Sequence, residues 1–224
     1  MARIVETEQK KKKVKNKKKF IIAFIVVLIL VCGLLGWKLL SRDSGRKQAY
    51  EIKELDNLKE FGYTLTDSDS DLFKTEFKEL KSIVNADEID EEKYTTQVAK
   101  MFVIDLYTMS TKVNKYDIGG IEYFYFDKKD MYEQKVMDTL YSALQDNTYG
   151  DRKQELPEVS GVEVLSNIEG KFKIGTKESK SRIITLNISY VKDLGYDKEA
   201  TITLCKENEL SRWSVVDFQP TIKK

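Results

Sequence analysis

From Phe20 to Leu40 the chain runs 21 residues with Lys38 as its only charge. At about 1.5 Å per residue this makes about 30 Å of helix, the thickness of a bilayer's hydrocarbon core. The pattern predicts one transmembrane helix over residues 20–40. A polar exit, "SRDSGRKQ", fills 41–48. Beyond it Ile52, Leu55, Leu58 and Phe61 recur every third position, which predicts a juxtamembrane helix from Tyr50 to Phe61 that Gly62 ends. Asp67 to Ser70 offer N-caps for a helix whose apolar face is Phe73, Phe77, Leu80 and Val84. Asp90 then opens a longer helix, with Glu91 and Glu92 where the helix dipole favours acids. Its stripe reads Tyr94, Val98, Met101 or Phe102, Asp105 or Leu106, Met109 and Val113. "KYDIGG" (115–120) is a turn in which Gly119 and Gly120 permit positive φ. "IEYFYF" (121–126) alternates as a short strand or a packed loop. Asp130 and Glu133 have capping-box spacing and start a helix to about Gln145 that buries Met137, Leu140, Tyr141 and Leu144.

After residue 150 the period changes from helical to alternating. "GVEVLSNIEG" reads as a strand. In "SRIITLNISYV" Ile184, Leu186, Ile188 and Tyr190 share one face, and Thr185, Asn187 and Ser189 the other. "EATITLCKE" turns Ala200, Ile202 and Leu204 inward, and "RWSVVDFQP" is a last strand closed by Pro220. Helices gathered before hairpin-linked strands define an α+β class: one N-terminal transmembrane helix, then about three helices on a curved antiparallel sheet of about four strands. The predicted layout is a basic cytoplasmic tail (1–19), the transmembrane helix (20–40), a juxtamembrane linker and helix (41–66) and an extracytoplasmic α+β domain (67–224).

Charge supplies the topology. The whole chain carries +1, but residues 1–19 hold nine basic and two acidic groups, while residues 41–224 hold 28 basic and 35 acidic. A cationic head beside the apolar run, with Lys17, Lys18 and Lys19 against its start, holds the N-terminus in the cytoplasm. Trp37 sits at interface depth, and the stem of Lys38 reaches the far surface. The expected location is the cell membrane, single-pass, with the C-terminal domain outside. The run is too long for a cleaved signal core and no small-residue exit closes it. Val31 before Cys32 is wrong for a lipid-attachment site. Anionic lipid is the expected partner of the basic tail. The acidic domain excludes a nucleic-acid partner.

Candidate chemistry is thin. The chain has no histidine and two cysteines, which removes the commonest general base and metal ligand. "DSDSD" (67–71) starts like a calcium loop but has Leu72 and Lys78 where such a loop needs Gly and Glu, so it reads as a helix cap. The Gly119–Gly120 pair lacks the Lys-Ser/Thr of a phosphate loop. No cofactor, metal or catalytic set is expected.

Helices, hairpin-linked strands and a terminal strand carrying Trp213 and Val215 resemble the cystatin-like fold of nuclear transport factor 2. Several bacterial membrane proteins carry that fold after one transmembrane helix. The layout over residues 20–220 is similar to the inner-membrane scaffold of type IV secretion and conjugation machines. It is also similar to Lys- and Ile-rich single-pass proteins of Gram-positive bacteria. The resemblance is one of element order. It implies a cone with an apolar pocket, for which Tyr123, Tyr125, Phe126 and Asp105 are the candidate lining or interaction residues. The aromatics could equally be core. Glu122, Asp105 or Asp117 would be the acids beside the pocket. The function expected is non-enzymatic: an outer domain binding envelope proteins or itself in a secretion-type assembly. The alternative is a small-ligand or peptide site in the cone.

Overall fold

The computed structural model describes residues 51–207 and 212–220. The predicted span 20–40, the basic tail and the topology residues Lys17, Lys18, Lys19 and Trp37 lie outside them. Among the described residues no helix is long and apolar enough to cross a membrane.

The element order is β1 (Glu54–Leu58), β2 (Tyr63–Thr66), α1 (Asp71–Val84), α2 (Glu91–Tyr107), α3 (Lys129–Asp138), then β3 (Val159–Ile174), β4 (Lys177–Tyr190), β5 (Glu199–Lys206) and β6 (Trp213–Pro220). Strands β1 and β2 form a two-stranded hairpin. The others form one antiparallel sheet in the order β3-β4-β5-β6. The α+β class and the four hairpin-linked strands are therefore as the alternation predicts.

The sheet's inner face is the expected one. Ile184, Leu186 and Ile188 of β4, Ala200, Ile202 and Leu204 of β5, and Trp213 and Val215 of β6 are all buried in a single core. Register shifts in β3 and in the β5–β6 pairing mark bulges, which bend a sheet and raise its twist. Phe124 makes a parallel bridge to Val215, and the Tyr125 amide donates to the Val215 carbonyl at 2.8 Å, so the outer edge of β6 is partly covered.

α2 crosses the sheet and is the centre of the domain. The Asp90 carboxylate accepts from the Glu92 and Lys93 amides and caps it. The sequence predicts a stripe, but eleven of its seventeen residues are buried, on nearly every side. A helix enclosed all round needs apolar residues all round, and α1, the β1–β2 hairpin and the 118–124 loop supply the enclosure that the sheet does not. α2 stops at Tyr107, and a 3-10 turn over Met109–Thr111 follows instead of a continued helix to Val113. Ser70 caps α1 through the Phe73 amide, and Phe73, Phe77, Leu80 and Val84 are its buried residues, as predicted.

Four local expectations are corrected. The described part of the expected helix, residues 51–61, is not a helix: the segment supplies β1 and the turn into β2, with Gly62 at φ +68° in that turn. Ile52 and Leu55 are exposed, whereas Leu58, Tyr63 and Leu65 enter the core. The three-residue spacing was thus accidental, and the hairpin belongs to the folded domain, not to a linker. α3 ends at Asp138, seven residues before Gln145, and the chain then turns to bring Tyr141 under α2, where its hydroxyl donates to the Leu106 carbonyl at 2.7 Å. No side-chain cap forms at α3, because the helix is entered directly from a 3-10 turn over Phe126–Lys128. Gly120 has φ +77°, but Gly119 does not have a positive φ; a Cβ there would lie 2.1 Å from the Asp105 carbonyl oxygen. Its requirement is close backbone approach to α2.

Candidate functional site: an apolar pocket between α3 and β6

The aromatic run 121–126 is a 3-10 turn at Ile121–Tyr123 followed by extended chain. Successive side chains therefore leave in different directions, and the four aromatics have different fates. Tyr123 is fully buried, its ring stacked on Tyr63 with centroids 4.8 Å apart. Phe124 stacks on Tyr132 of α3 at 4.1 Å. Tyr125 is half-buried, and Phe126 is 75% exposed. None of Tyr123, Tyr125, Phe126 and Asp105 lines the pocket between α3 and β6.

Asp105 is structural in its contacts. Its carboxylate pairs with the buried Lys112 ammonium and accepts from the Gly120 amide at 2.7 Å. Burial is the strongest single influence on Lys112 and works to lower its pKa, but the charge and hydrogen bond of Asp105, together with Tyr141 and Asp117, outweigh it and hold the ammonium well above its ordinary value. Asp117 accepts from the Val113 amide at 2.9 Å, and Glu122 from the Thr64 amide at 2.8 Å. Burial pushes the Glu122 carboxyl up, and does the same to Asp69. These acids tie loops to the β1–β2 hairpin and to α2. Among the described residues no three acids or cysteines are grouped to hold a metal. The Tyr63 and Tyr94 hydroxyls lie 3.0 Å apart, and burial raises Tyr94 to about 12, so neither is poised to give up a proton near neutral pH.

A second buried ion pair clamps the same region. Arg212, 5% exposed, donates to Ser214 Oγ, to the Phe61 carbonyl and to the Phe124 carbonyl, and lies 3.6 Å from Glu207. Glu207 accepts from the Phe126 amide at 3.0 Å. The pair thus joins the end of β5, the start of β6, the first hairpin and the aromatic loop. Sequence reasoning missed it, because charges in a turn ordinarily read as solvated.

A pocket of about 440 Å³ lies between α3 and β6. Leu106 and Tyr107 of α2 and Phe124 make its floor. Tyr132, Val136 and Leu140 form one apolar wall, with Val216, Phe218 and Pro220 opposite. Met131, 65% exposed, stands at the edge. Lys128, Lys135, Thr139, Asp197 and Asp217 complete the lining. Of the predicted aromatic cluster only the neighbour Phe124 reaches it. No periodicity flagged Lys128, Lys135, Asp197 or Asp217, since they come from a turn, a helix, a loop and a strand that only the fold assembles.

The fold and this pocket define an α+β domain with an apolar, ligand-sized cavity. Compared with known proteins, the chain matches no family model, no curated protein and no solved structure.

Proposed function

We propose that the chain is a non-enzymatic, single-pass membrane protein whose domain works outside the cell by binding a small apolar ligand or apolar peptide side chains in the α3–β6 pocket. The single observation that carries this reading is the pocket, whose volume of about 440 Å³ falls in the usual range for ligand sites and whose floor and walls are chiefly apolar. The anchor and its orientation rest on the apolar run 20–40 and the cationic residues before it. The cystatin-like resemblance, and the cone it implies, rest on the order of elements along the chain.

The test is binding of a neutral apolar fluorophore, N-phenyl-1-naphthylamine, by the full chain held in amphipol. Saturable binding that Val136→Trp abolishes supports the reading, because the indole would occupy the space between the walls. Binding that survives both Val136→Trp and Thr139→Trp would place the probe elsewhere and remove the support.

A second reading is docking of an envelope partner or a second copy in a secretion-type assembly. It is favoured by two exposed apolar side chains, Met131 at the edge of the pocket and Phe126 in the turn that leads into α3. Mild cross-linking in the native membrane should then trap a complex through a photo-reactive residue at 126 or 131. Recovery of the uncrosslinked monomer alone counts against it.

A further inference from the structure

The fold treats the two edges of the main sheet differently. The backbone at 124–125 partly covers β6, whereas β3 ends the sheet on the other side. Bulges bend β3 before Ser166, but residues 166–174 pair with β4 without a shift. The Ile188 amide of β4 donates to the Lys198 carbonyl just before β5, so the even-numbered residues of β4 bond toward β5 and the odd-numbered ones toward β3. The register then turns the amides and carbonyls of Asn167, Glu169, Lys171 and Lys173 to the free edge. Among the described residues none of these backbone groups has a hydrogen-bond partner. No helix hides the stretch: Glu169, Lys171, Lys173 and Ile168 are exposed, and Phe172 is half-buried with the Lys128 ammonium 5.2 Å from its ring centre.

We infer that two copies of this chain join through β3, antiparallel, about a two-fold axis at Gly170, so that their main sheets become one. Gly170 is the midpoint of the regular stretch, and "IEGKF" (168–172) reads apolar, acidic, glycine, basic, apolar on either side of it. Turned about that axis, the second copy sets its Lys171 opposite Glu169 and its Phe172 opposite Ile168, each pair occurring twice. The charged pairs flank the new backbone hydrogen bonds, and the apolar pairs fall at the sites without such bonds, where cross-strand side chains come closest. Within one copy Glu169 already lies 3.4 Å from Arg182, and Lys171 2.8 Å from Glu178, so the new pairs extend these ion pairs across the axis. Charge also fixes the register. An axis moved to Lys171 or to Glu169 would set that residue against itself, and like charges directly opposite repel. An edge guarded only against pairing would carry one sign of charge here, not both. The inference concerns a surface apart from the pocket and from Phe126 and Met131.

The experiment co-expresses the full chain in two differently tagged forms, both carrying Cys32→Ala, one with Ile168→Cys and the other with Phe172→Cys. Freshly broken cells are oxidised with copper–phenanthroline, and disulfide-linked dimers carrying both tags are counted. The mixed pair is expected to cross-link about tenfold more than either substitution alone, because each alone leaves its two sulfurs about 13 Å apart across the axis. Adding Glu169→Lys to both forms, or Lys171→Glu to both, should cut the yield about tenfold, since each makes two cross-strand pairs repel. Glu169→Lys in one form with Lys171→Glu in the other should restore it, because opposite charges then face each other at every pair, and recovery also shows that each variant folds. Cross-linking equal in all combinations, no dimer in the mixed pair, or a disulfide to a different protein instead overturns the inference. The pocket reading stands or falls separately, on fluorophore binding.

Discussion

At the residue scale the buried charges decide most. Asp105 looks catalytic by position, an acid near an aromatic cluster, yet its carboxylate is committed to Lys112 and to the Gly120 amide. Removing one member of a buried pair leaves the other uncompensated, at a cost of about 3–5 kcal/mol. Asp105→Asn is therefore expected to lower unfolding free energy by about 3 kcal/mol in urea titrations of the folded chain; a change near zero would mean that the pair is solvated. Glu122 carries the opposite sign of effect. Its folded carboxyl is raised by burial, so the folded state holds the proton more tightly than the unfolded chain does. Its contribution is most favourable below the unfolded pKa of about 4.3 and is lost as pH rises through the raised folded value. Glu122→Gln keeps an acceptor for the Thr64 amide and removes the titration. The variant should gain on wild type as pH rises from 4 toward neutrality, read as the difference in melting temperature across pH. A constant difference would sink this account.

At the element scale the strands were legible and the first hairpin was not. Ile184, Leu186 and Ile188 alternate because one face of β4 is core and the other is not, and burial selects that pattern directly. Ile52, Leu55, Leu58 and Phe61 have helical spacing, but only Leu58 among them is buried. What makes the segment a hairpin is Gly62 at positive φ together with a place for Tyr63 beside Tyr94 and Tyr123. That place exists only once α2 is in position. The turn at 119–120 is the matching constraint on α2. Gly119→Ala would set a methyl 2.1 Å from the Asp105 carbonyl oxygen and 2.8 Å from the Tyr141 hydroxyl. Because the first obstacle is helical backbone, it is expected to destabilise by about 2 kcal/mol or more, within the range for forcing atoms into a packed site. Thermal melts would show this. Gly150→Ala meets no neighbour and serves as the control, although its own φ of +69° adds some strain.

At the scale of the whole molecule the prediction concerns sidedness. Arg42, Arg46 and Lys47 lie between the apolar run and the first described residue, Glu51. If residues 20–40 anchor the chain with the N-terminus inside, trypsin added to intact cells or protoplasts should cut among these residues and release a C-terminally tagged domain. Full protection of the tag would overturn the topology. The pocket belongs to this scale as well, since its lining is drawn from α2, the aromatic loop, α3, the loop before β5 and β6. The sequence by itself determined the things that depend on local order: the apolar run, the asymmetry of charge on either side of it, the helix starts at Ser70 and Asp90, and the four alternating strands with their inward faces. Each is written in spacings of a few residues, which burial and capping read without help from the rest of the chain. Only the tertiary structure decided that α2 is enclosed on nearly every side, that residues 54–66 pair as a hairpin, that Asp105 and Arg212 are clamps, and that residues of α2, the aromatic loop, α3 and β6 line one pocket. Those outcomes are set by contacts between residues as much as 151 positions apart, such as Arg212 on the Phe61 carbonyl. No local pattern carries such a contact, because its energy appears only when the surrounding core excludes water.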